Sequence, residues 1–218
     1  MKLTAFEYGK TEINEKMAFP DGNPEIKLPI ALLFFMIEEK DKKILVDVGC
    51  DTMPGFPLYE FEKPAEIMKK GGVKPEDITH ILLSHSHHDH IDALRYYKKA
   101  KVYIQENEKE AAKGYIDDAS RLHTFKDQIK ITDNIIMKHI GGHSPGSSII
   151  ILNGNYILCG DECYVKENFS DNIPTGSSYC IEKSREFIKE YRKDFYTKIL
   201  FHDPDIVGEL GNKVIFKD

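Results

Sequence analysis

Six consecutive residues are dominated by side chains that bind metal ions: His85-Ser86-His87-His88-Asp89-His90. Imidazole nitrogens and carboxylate oxygens are the usual ligands of zinc and other divalent transition metals. In an extended chain His85 and His87 face the same side, whereas Asp89 and His90, at a turn into a helix, can face a second ion. The spacing therefore predicts a site for two ions, which lie ~3.5 to 4 Å apart in such sites.

Three further candidate ligands lie far from this motif along the chain. Asp161 follows an apolar run, and because two close cations need an anion between them, we predict that it bridges the ions. His143 lies in a glycine-rich turn, and His202 follows the apolar residues 198–201. A lone loop histidine is usually an ordinary solvated side chain. Beside the six-residue motif, however, we interpret all three residues as ligands.

These residues must stand at strand ends to converge on one point. An apolar run predicts a buried strand at residues 78–83 that ends in the histidine motif. A further strand is predicted at 101–105, and others next to His143, Asp161 and His202, at 135–140, 148–152, 156–159 and 198–201. A hairpin is predicted at 30–37 and 44–48, and helices at 63–71, after His90, at 106–114 and at 181–195. Residues 164–179 are interpreted as an active-site loop. Strands grouped between helices predict an α/β chain with two sheets faced by helices.

Length and composition narrow the class of protein. With 218 residues, 41% of them hydrophobic, we predict a single domain over 1–218 with one substantial core. The 30 basic and 36 acidic side chains give a net charge of −6 without a basic block, which argues against nucleic acid as a partner. No signal segment and no apolar window of ~18 residues is found, so we expect a cytoplasmic protein without a membrane partner, its four cysteines reduced.

On these residues the chain resembles the metallo-β-lactamase superfamily. The family's H-x-H-x-D-H motif is matched by residues 85–90, and its later His, Asp and His by His143, Asp161 and His202. The resemblance implies a four-layer αβ/βα sandwich with two metal ions at one edge. It places His85, His87 and His143 on the first ion, Asp89, His90 and His202 on the second, and Asp161 on both. It also implies that Asp47 supports the ligands from behind.

Residues 161–169 are similar to the segment after the bridging aspartate in N-acyl homoserine lactonases. The similarity implies that a hydroxide bridging the ions attacks the lactone carbonyl, that Tyr164 helps to hold the oxyanion, and that Asp89 delivers a proton to the leaving oxygen. The expected reaction is the opening of a small lactone, as in quorum quenching. Zinc is the first expectation for both ions, with iron, manganese or cobalt as alternatives.

The substrate pocket is where this chain departs from that group. His88 stands where the lactonases tend to carry an aromatic residue, and the stretch 51–62 is short for their substrate-lining insertion. Four apolar residues in polar surroundings are predicted either to line an acyl pocket or to pack in a minor core: Met17, Phe19, Phe56 and Tyr59.

Two other functions remain open for the same ligands. A hydroxyacyl-thioester hydrolase similar to glyoxalase II would use the same chemistry on a thioester. A di-iron oxidoreductase would instead use the two ions to reduce oxygen or nitric oxide. Four further residues are predicted to be structural rather than ligands: His80, His123, His139 and the buried thiol Cys163.

Overall fold

Twelve strands form two sheets in the computed structural model, which describes residues 1–218. The first sheet contains β1 (Lys2–Asn14), β2 (Lys27–Glu39), β3 (Lys42–Val46), β4 (His80–Leu82), β5 (Lys101–Gln105), β6 (Leu122–Phe125) and β12 (Gly211–Lys217). The second contains β7 (Gln128–Thr132), β8 (Ile135–His139), β9 (Ser148–Leu152), β10 (Tyr156–Leu158) and β11 (Thr197–Ile199). The spatial orders are β12-β1-β2-β3-β4-β5-β6 and β11-β10-β9-β8-β7.

Six α-helices connect the strands, and most are short. They are α1 (Glu15–Ala18), α2 (Pro64–Lys70), α3 (His88–Ile91), α4 (Lys109–Ala112), α5 (Lys166–Ser170) and α6 (Ile181–Tyr191). Single 3₁₀ turns lie at Pro75–Asp77, Asp92–Tyr96, Glu106–Glu108, Lys113–Tyr115, Ala119–Arg121 and Gly160–Glu162. None of these helices has the length and apolar character that crossing a lipid bilayer requires.

Three apolar clusters define four layers. The largest packs helices α2 and α3 against the outer face of the first sheet, for example Ile67 and Ile91 against Phe34. A second fills the space between the sheets, where Phe35 meets the ring of Phe201 edge-on at 4.8 Å. A third packs α5 and α6 on the outer face of the second sheet. The predicted four-layer αβ/βα sandwich is confirmed.

Strand β2 shows why this layering needs so many apolar residues. Successive side chains of a strand point to opposite faces, and both faces of the first sheet are covered. Leu32 and Phe34 therefore pack against the helices, while Leu33 and Phe35 pack against the second sheet. The consequence is an unbroken buried run from Ile30 to Ile37.

The predicted elements differ from the structure mainly at their ends. The structure contains the predicted hairpin β2–β3 and the predicted strands β4, β5, β8, β9, β10 and β11. The helix predicted at 181–195 ends at Tyr191. The helix predicted at 106–114 is divided between 3₁₀ turns and α4. The stretch 164–179 is not wholly a loop, since it contains α5. Four strands were not predicted: β1 and β12, which pair with each other, and β6 and β7.

The strand ends nearest the predicted ligands lie at one edge of the sandwich. Strands β3, β4 and β5 are parallel, as are β10 and β11, so the carboxyl ends within each group point the same way. Two backbone hydrogen bonds join the sheets there: the amide of Ser148 donates to the carbonyl of Ser84 (2.9 Å), and the amide of Ala31 to that of His202 (3.1 Å). This edge gathers side chains from both sheets.

Candidate metal centre

The structure brings all seven predicted ligands to this edge, each from a strand end or the turn after it. His85 and His87 follow β4, Asp89 and His90 lie in α3, His143 lies between β8 and β9, Asp161 lies in the 3₁₀ turn after β10, and His202 follows β11. Their ligand atoms form two groups, each within 4.8 Å: His85, His87, His143 and Asp161, and Asp89, His90 and His202. We call the three histidines of the first group the first cluster, and the second group the second cluster.

The carboxylate of Asp161 lies between the two clusters and turns one oxygen toward each. Its Oδ1 is 3.0 Å from Nε2 of His90 and 3.1 Å from Nε2 of His202. Its Oδ2 is 3.5 Å from Nε2 of His143 and 3.8 Å from Nε2 of His85. This is the arrangement expected of a carboxylate that bridges two cations.

Several ring nitrogens at the centre have no ordinary protein partner. Nε2 of His85 is buried and makes no hydrogen bond, and Nε2 of His90 is buried with only Oδ1 of Asp161 close to it, without the alignment of a hydrogen bond. Nδ1 of His87 faces Nε2 of His143 at 2.9 Å, so two imidazoles meet nitrogen to nitrogen. Buried polar atoms in proteins are normally paired. Unpaired imidazole nitrogens around one carboxylate form a donor set that fits two divalent transition-metal ions.

Asp47 orients two of these histidines from behind. Its Oδ2 lies 2.7 Å from Nδ1 of His90 and also accepts the hydroxyl of Ser84 at 2.7 Å. The Ser84 oxygen in turn lies 3.0 Å from Nδ1 of His85. Because Nδ1 of each ring is hydrogen-bonded in this way, Nε2 of each ring faces the centre. Hydrogen-bond partners of this kind usually lie behind the ligands of a metal site.

Backbone carbonyls orient two further rings. Nδ1 of His143 lies 2.7 Å from the carbonyl of Ser177, and Nδ1 of His202 lies 2.9 Å from that of Ala31. A carbonyl only accepts, so both rings carry their proton on Nδ1 and again present Nε2 inward.

Electrostatics act differently on the donors. Burial would lower the pKa of His90 and of His202, but the charge of Asp161 outweighs it and raises both. Burial, reinforced by the neighbouring His90, holds the pKa of His85 well below its usual range. Burial and His143 likewise lower the pKa of His87. Burial alone would raise the pKa of Asp161, but His90 and His202 outweigh it and hold that pKa well below the ordinary value. The rings of His85 and His87 are therefore neutral and the carboxylate anionic.

Tyr164 closes one side of the centre. Its hydroxyl donates to Oδ2 of Asp161 at 3.0 Å, and its ring stacks on His202 with centroids 5.3 Å apart. Burial, followed by the charge of Asp161, raises the pKa of Tyr164 well above its usual range. The phenol is thus a hydrogen-bond donor beside the ligands, where the sequence predicted it.

A cavity of about 540 Å³ opens onto the two clusters. Its lining residues are Ile13, Met17, Ile30, Met53, Phe56, His87, His88, Asp89, His143, Asp161, Tyr164, Gly176, Ser177, Ser178, Tyr179 and His202. The lining combines apolar side chains with five of the seven predicted ligands. No lysine or arginine lines it.

Two of the four apolar residues predicted for this pocket line it, and two do not. Met17 and Phe56 face the cavity. Phe19 lines a separate cavity of about 300 Å³. Tyr59 is 47% exposed, and its backbone pairs with Lys10 of β1. Sequence reasoning missed Ile13 and Ile30, which look like ordinary strand residues until β1 and β2 pair. It also missed Met53, whereas the rim at 176–179 lies within the stretch 164–179 that was interpreted as an active-site loop.

His88 and the remaining histidines lie outside both ligand groups. Nε2 of His88 lies 2.9 Å from the carbonyl of Thr52, so the imidazole ties the short 51–62 stretch to the metal motif. His80 and His123 stack on either side of Tyr103, outside both ligand groups. His139 lies 3.0 Å from the carbonyl of Pro145. All four cysteines are unpaired, and Cys163 is buried, in agreement with the prediction.

A family profile matches most of the chain, and related proteins match nearly all of it. The profile of the metallo-beta-lactamase superfamily matches residues 33–193. The N-acyl homoserine lactonase of Bacillus cereus is 26% identical over 245 residues, covering 98% of this chain and 96% of the relative. That of Bacillus thuringiensis is 27% identical over 248 residues, with the same coverage.

Solved structures share the fold. An N-acyl homoserine lactone hydrolase with its product N-hexanoyl-L-homoserine at the catalytic metal centre superimposes with a TM-score of 0.82 and 21% identity over 95% of both chains. The dizinc lactonase AidC gives a TM-score of 0.72 and 17% identity, over 99% of this chain and 94% of its own. At these identities the structural likeness establishes the fold alone.

Proposed function

Because the chain belongs to the metallo-beta-lactamase superfamily, we propose that it is a dinuclear-metal hydrolase that opens the ring of N-acyl homoserine lactones or similar lactones. The observation that carries this proposal is the position of Asp161, with one carboxylate oxygen toward each cluster, beside a cavity lined partly by apolar side chains. The lactonases of Bacillus cereus and Bacillus thuringiensis, which match 98% of the chain, support the same substrate class.

In this proposal the first cluster holds one ion, the second cluster holds the other, and Asp161 binds both. We assign zinc to both positions because AidC, which shares the fold, is a dizinc enzyme. Imidazole and carboxylate donors also suit iron, manganese and cobalt. When bound, two such cations supply a water acidified to near neutral pH and polarise the carbonyl oxygen of an ester.

The residues of the chain supply the remaining steps. The phenol of Tyr164, a donor 3.0 Å from Asp161, turns its proton toward the oxyanion that develops on the lactone carbonyl. The carboxylate of Asp89, which lines the cavity and is 17% exposed, takes up the proton that the attacking water gives up and passes it to the ring oxygen as the bond from that oxygen to the carbonyl carbon breaks. The product is an open-chain hydroxy acid.

The walls of the cavity favour an amphipathic, uncharged substrate. Ile13, Met17 and Phe56 offer apolar surface for an acyl chain, while the ligand side chains in the same lining meet the polar ring. A phosphodiester would need basic side chains to hold its charge, and none lines the cavity. A lactone with an apolar tail fits both parts of this lining.

The test combines metal analysis with turnover. Protein purified without added metal is analysed for metal content and assayed by pH-stat on acyl homoserine lactones, simple lactones, thioesters and phosphodiesters. Asp161→Asn is the test variant, and Asp133→Asn, whose side chain is 85% exposed, is the matched control. About two ions per chain and lactone turnover that only Asp161→Asn abolishes would support the proposal. Preferred turnover of thioesters, or two irons with oxygen consumption and no hydrolysis, would replace it.

A further inference from the structure

Glu108 is a buried carboxylate that lies beneath the first cluster without belonging to it. It ends the 3₁₀ turn Glu106–Glu108 after β5, and it is 4% exposed. It is not among the residues that line the cavity, so it meets no substrate. A buried charge is costly unless hydrogen bonds compensate it, so the contacts of this carboxylate indicate what it does.

Four donors, from two different loops, point at the two oxygens of Glu108. Oε2 accepts from the amide of Ser86 at 3.2 Å and from the Ser86 hydroxyl. Oε1 accepts from the hydroxyl of Ser144 at 2.7 Å and from the amide of Gly146 at 2.8 Å. Burial alone would raise the pKa of Glu108, but these hydrogen bonds outweigh it and lower the pKa. The group is an anion that only accepts.

These donors belong to the segments that carry the whole first cluster. Ser86 lies between His85 and His87, and Ser144 follows His143. One carboxylate therefore joins the loop after β4 to the loop between β8 and β9. His87 depends on this connection most, because the only hydrogen-bond contact of its side chain is the nitrogen-to-nitrogen approach to His143.

Gly146 shows how closely the carboxylate is fitted to its loop. A Cβ atom at Gly146 would come within 2.6 Å of both Cγ of Glu108 and Oε1 of Gln105. A glycine is therefore required for the backbone to approach Glu108 and donate its amide.

We propose that Glu108 is a positioning residue that assembles the first cluster and thereby sets the affinity of the first ion, and not that of the second. The second cluster is held by other groups: Asp47 orients His90, and the carbonyl of Ala31 orients His202. This inference rests on the ligands assigned under the proposed function and is independent of the lactone as substrate.

The test is Glu108→Gln, with Glu106→Gln as a matched control on the exposed side of the same turn. A glutamine turns an amide NH₂ toward at least one of the four donors, so the loops separate. In competition with a chelator, the variant should bind one zinc ion roughly 10- to 100-fold more weakly, with the second ion unchanged. With cobalt(II), the visible absorption of one ion should change and that of the other persist. Where the wild type turns over a lactone, excess metal should restore kcat at unchanged KM.

The inference would be overturned if Glu108→Gln bound both ions as tightly as the wild type, or if its affinity for both ions fell equally. If Glu108→Gln fails to fold by circular dichroism, Ser144→Ala removes a single donor, and it must still weaken only one ion. A wild type that binds two ions but opens no lactone would refute the proposed function and leave the role of Glu108 intact.

Discussion

Asp47 reaches His90 across 43 residues of sequence, with Oδ2 2.7 Å from Nδ1 of the ring. Its Oδ1 accepts the amide of Ser84 at 2.7 Å, and both side chains of the pair are almost fully buried. Asp47 adopts a left-handed backbone (φ 56°) directly after β3, which L-residues other than glycine rarely do. This backbone turn directs the carboxylate toward the end of β4. There it orients His90 of the second cluster directly and His85 of the first cluster through Ser84.

Asp47→Asn should therefore weaken metal binding. The NH₂ group of asparagine accepts no hydrogen bond. Either the Ser84 hydroxyl and the His90 ring, which share Oδ2, or the Ser84 amide on Oδ1 therefore loses its acceptor. We expect metal affinity to fall roughly 10- to 100-fold, measured by chelator competition. Asp41→Asn, at the exposed turn between β2 and β3, is the control. Unchanged affinity in Asp47→Asn would show that Asp47 does not orient the ligands.

Tyr164→Phe should lower kcat and leave KM largely unchanged. The variant keeps the ring that stacks on His202 and removes only the hydroxyl that donates to Asp161. A hydrogen bond to a charged group is worth about 1.5 to 3 kcal/mol, which corresponds to a roughly 10- to 100-fold loss of kcat. Tyr179→Phe, at the cavity rim and 69% exposed, should match the wild type. Wild-type kcat in Tyr164→Phe would exclude a role for the phenol in the reaction.

Met17→Ala should change the preference for acyl-chain length. The Met17 side chain lines the cavity, while its backbone is held independently, because its carbonyl accepts from the amide of Ser177 at 2.9 Å. Loss of about 1 to 2 kcal/mol of apolar contact should lower kcat/KM for decanoyl substrates roughly 5- to 30-fold, with butanoyl substrates little affected. Tyr59→Ala is the control. An equal loss for all chain lengths would place the acyl chain elsewhere.

Glu7→Gln should stabilise the protein at neutral pH and have little effect in acid. Burial raises the pKa of Glu7, although the amide of Gly208 and the charge of Lys10 partly oppose this. As the pH rises above about 4.3, the unfolded chain loses this proton before the folded chain does, so stability from this group falls until the folded pKa is passed. Glu7→Gln has no ionisable carboxyl group at this position, so it does not lose this stability as the pH rises. Urea unfolding from pH 4 to 8 measures it, with half-exposed Glu12→Gln as control. Parallel pH profiles for variant and wild type would contradict the prediction.

The chemistry of the candidate site could be predicted largely from the sequence. His85, His87, Asp89 and His90 are close in the chain, so their local spacing alone points to a metal site, and strong apolar runs place β4, β9 and β10 beside the ligands. The same local signals explain the hairpin β2–β3. The ends of the elements are less predictable from sequence periodicity: α6 ends at Tyr191, before the predicted end at residue 195.

The tertiary structure alone decided what depends on pairing between distant segments. Strands β1 and β12 lack a clear local sequence signal and are defined by their hydrogen bonds to each other. The cavity residues Ile13 and Ile30 can be recognised only once the sheet is assembled. The support groups are equally non-local: Asp47 behind His90, the carbonyl of Ser177 behind His143, and Glu108 beneath Ser86 and Ser144. The sequence determined which atoms can bind metal, because that is a property of residue type and near spacing. Their orientation was decided by the fold, because each ring is fixed by a partner from another strand end.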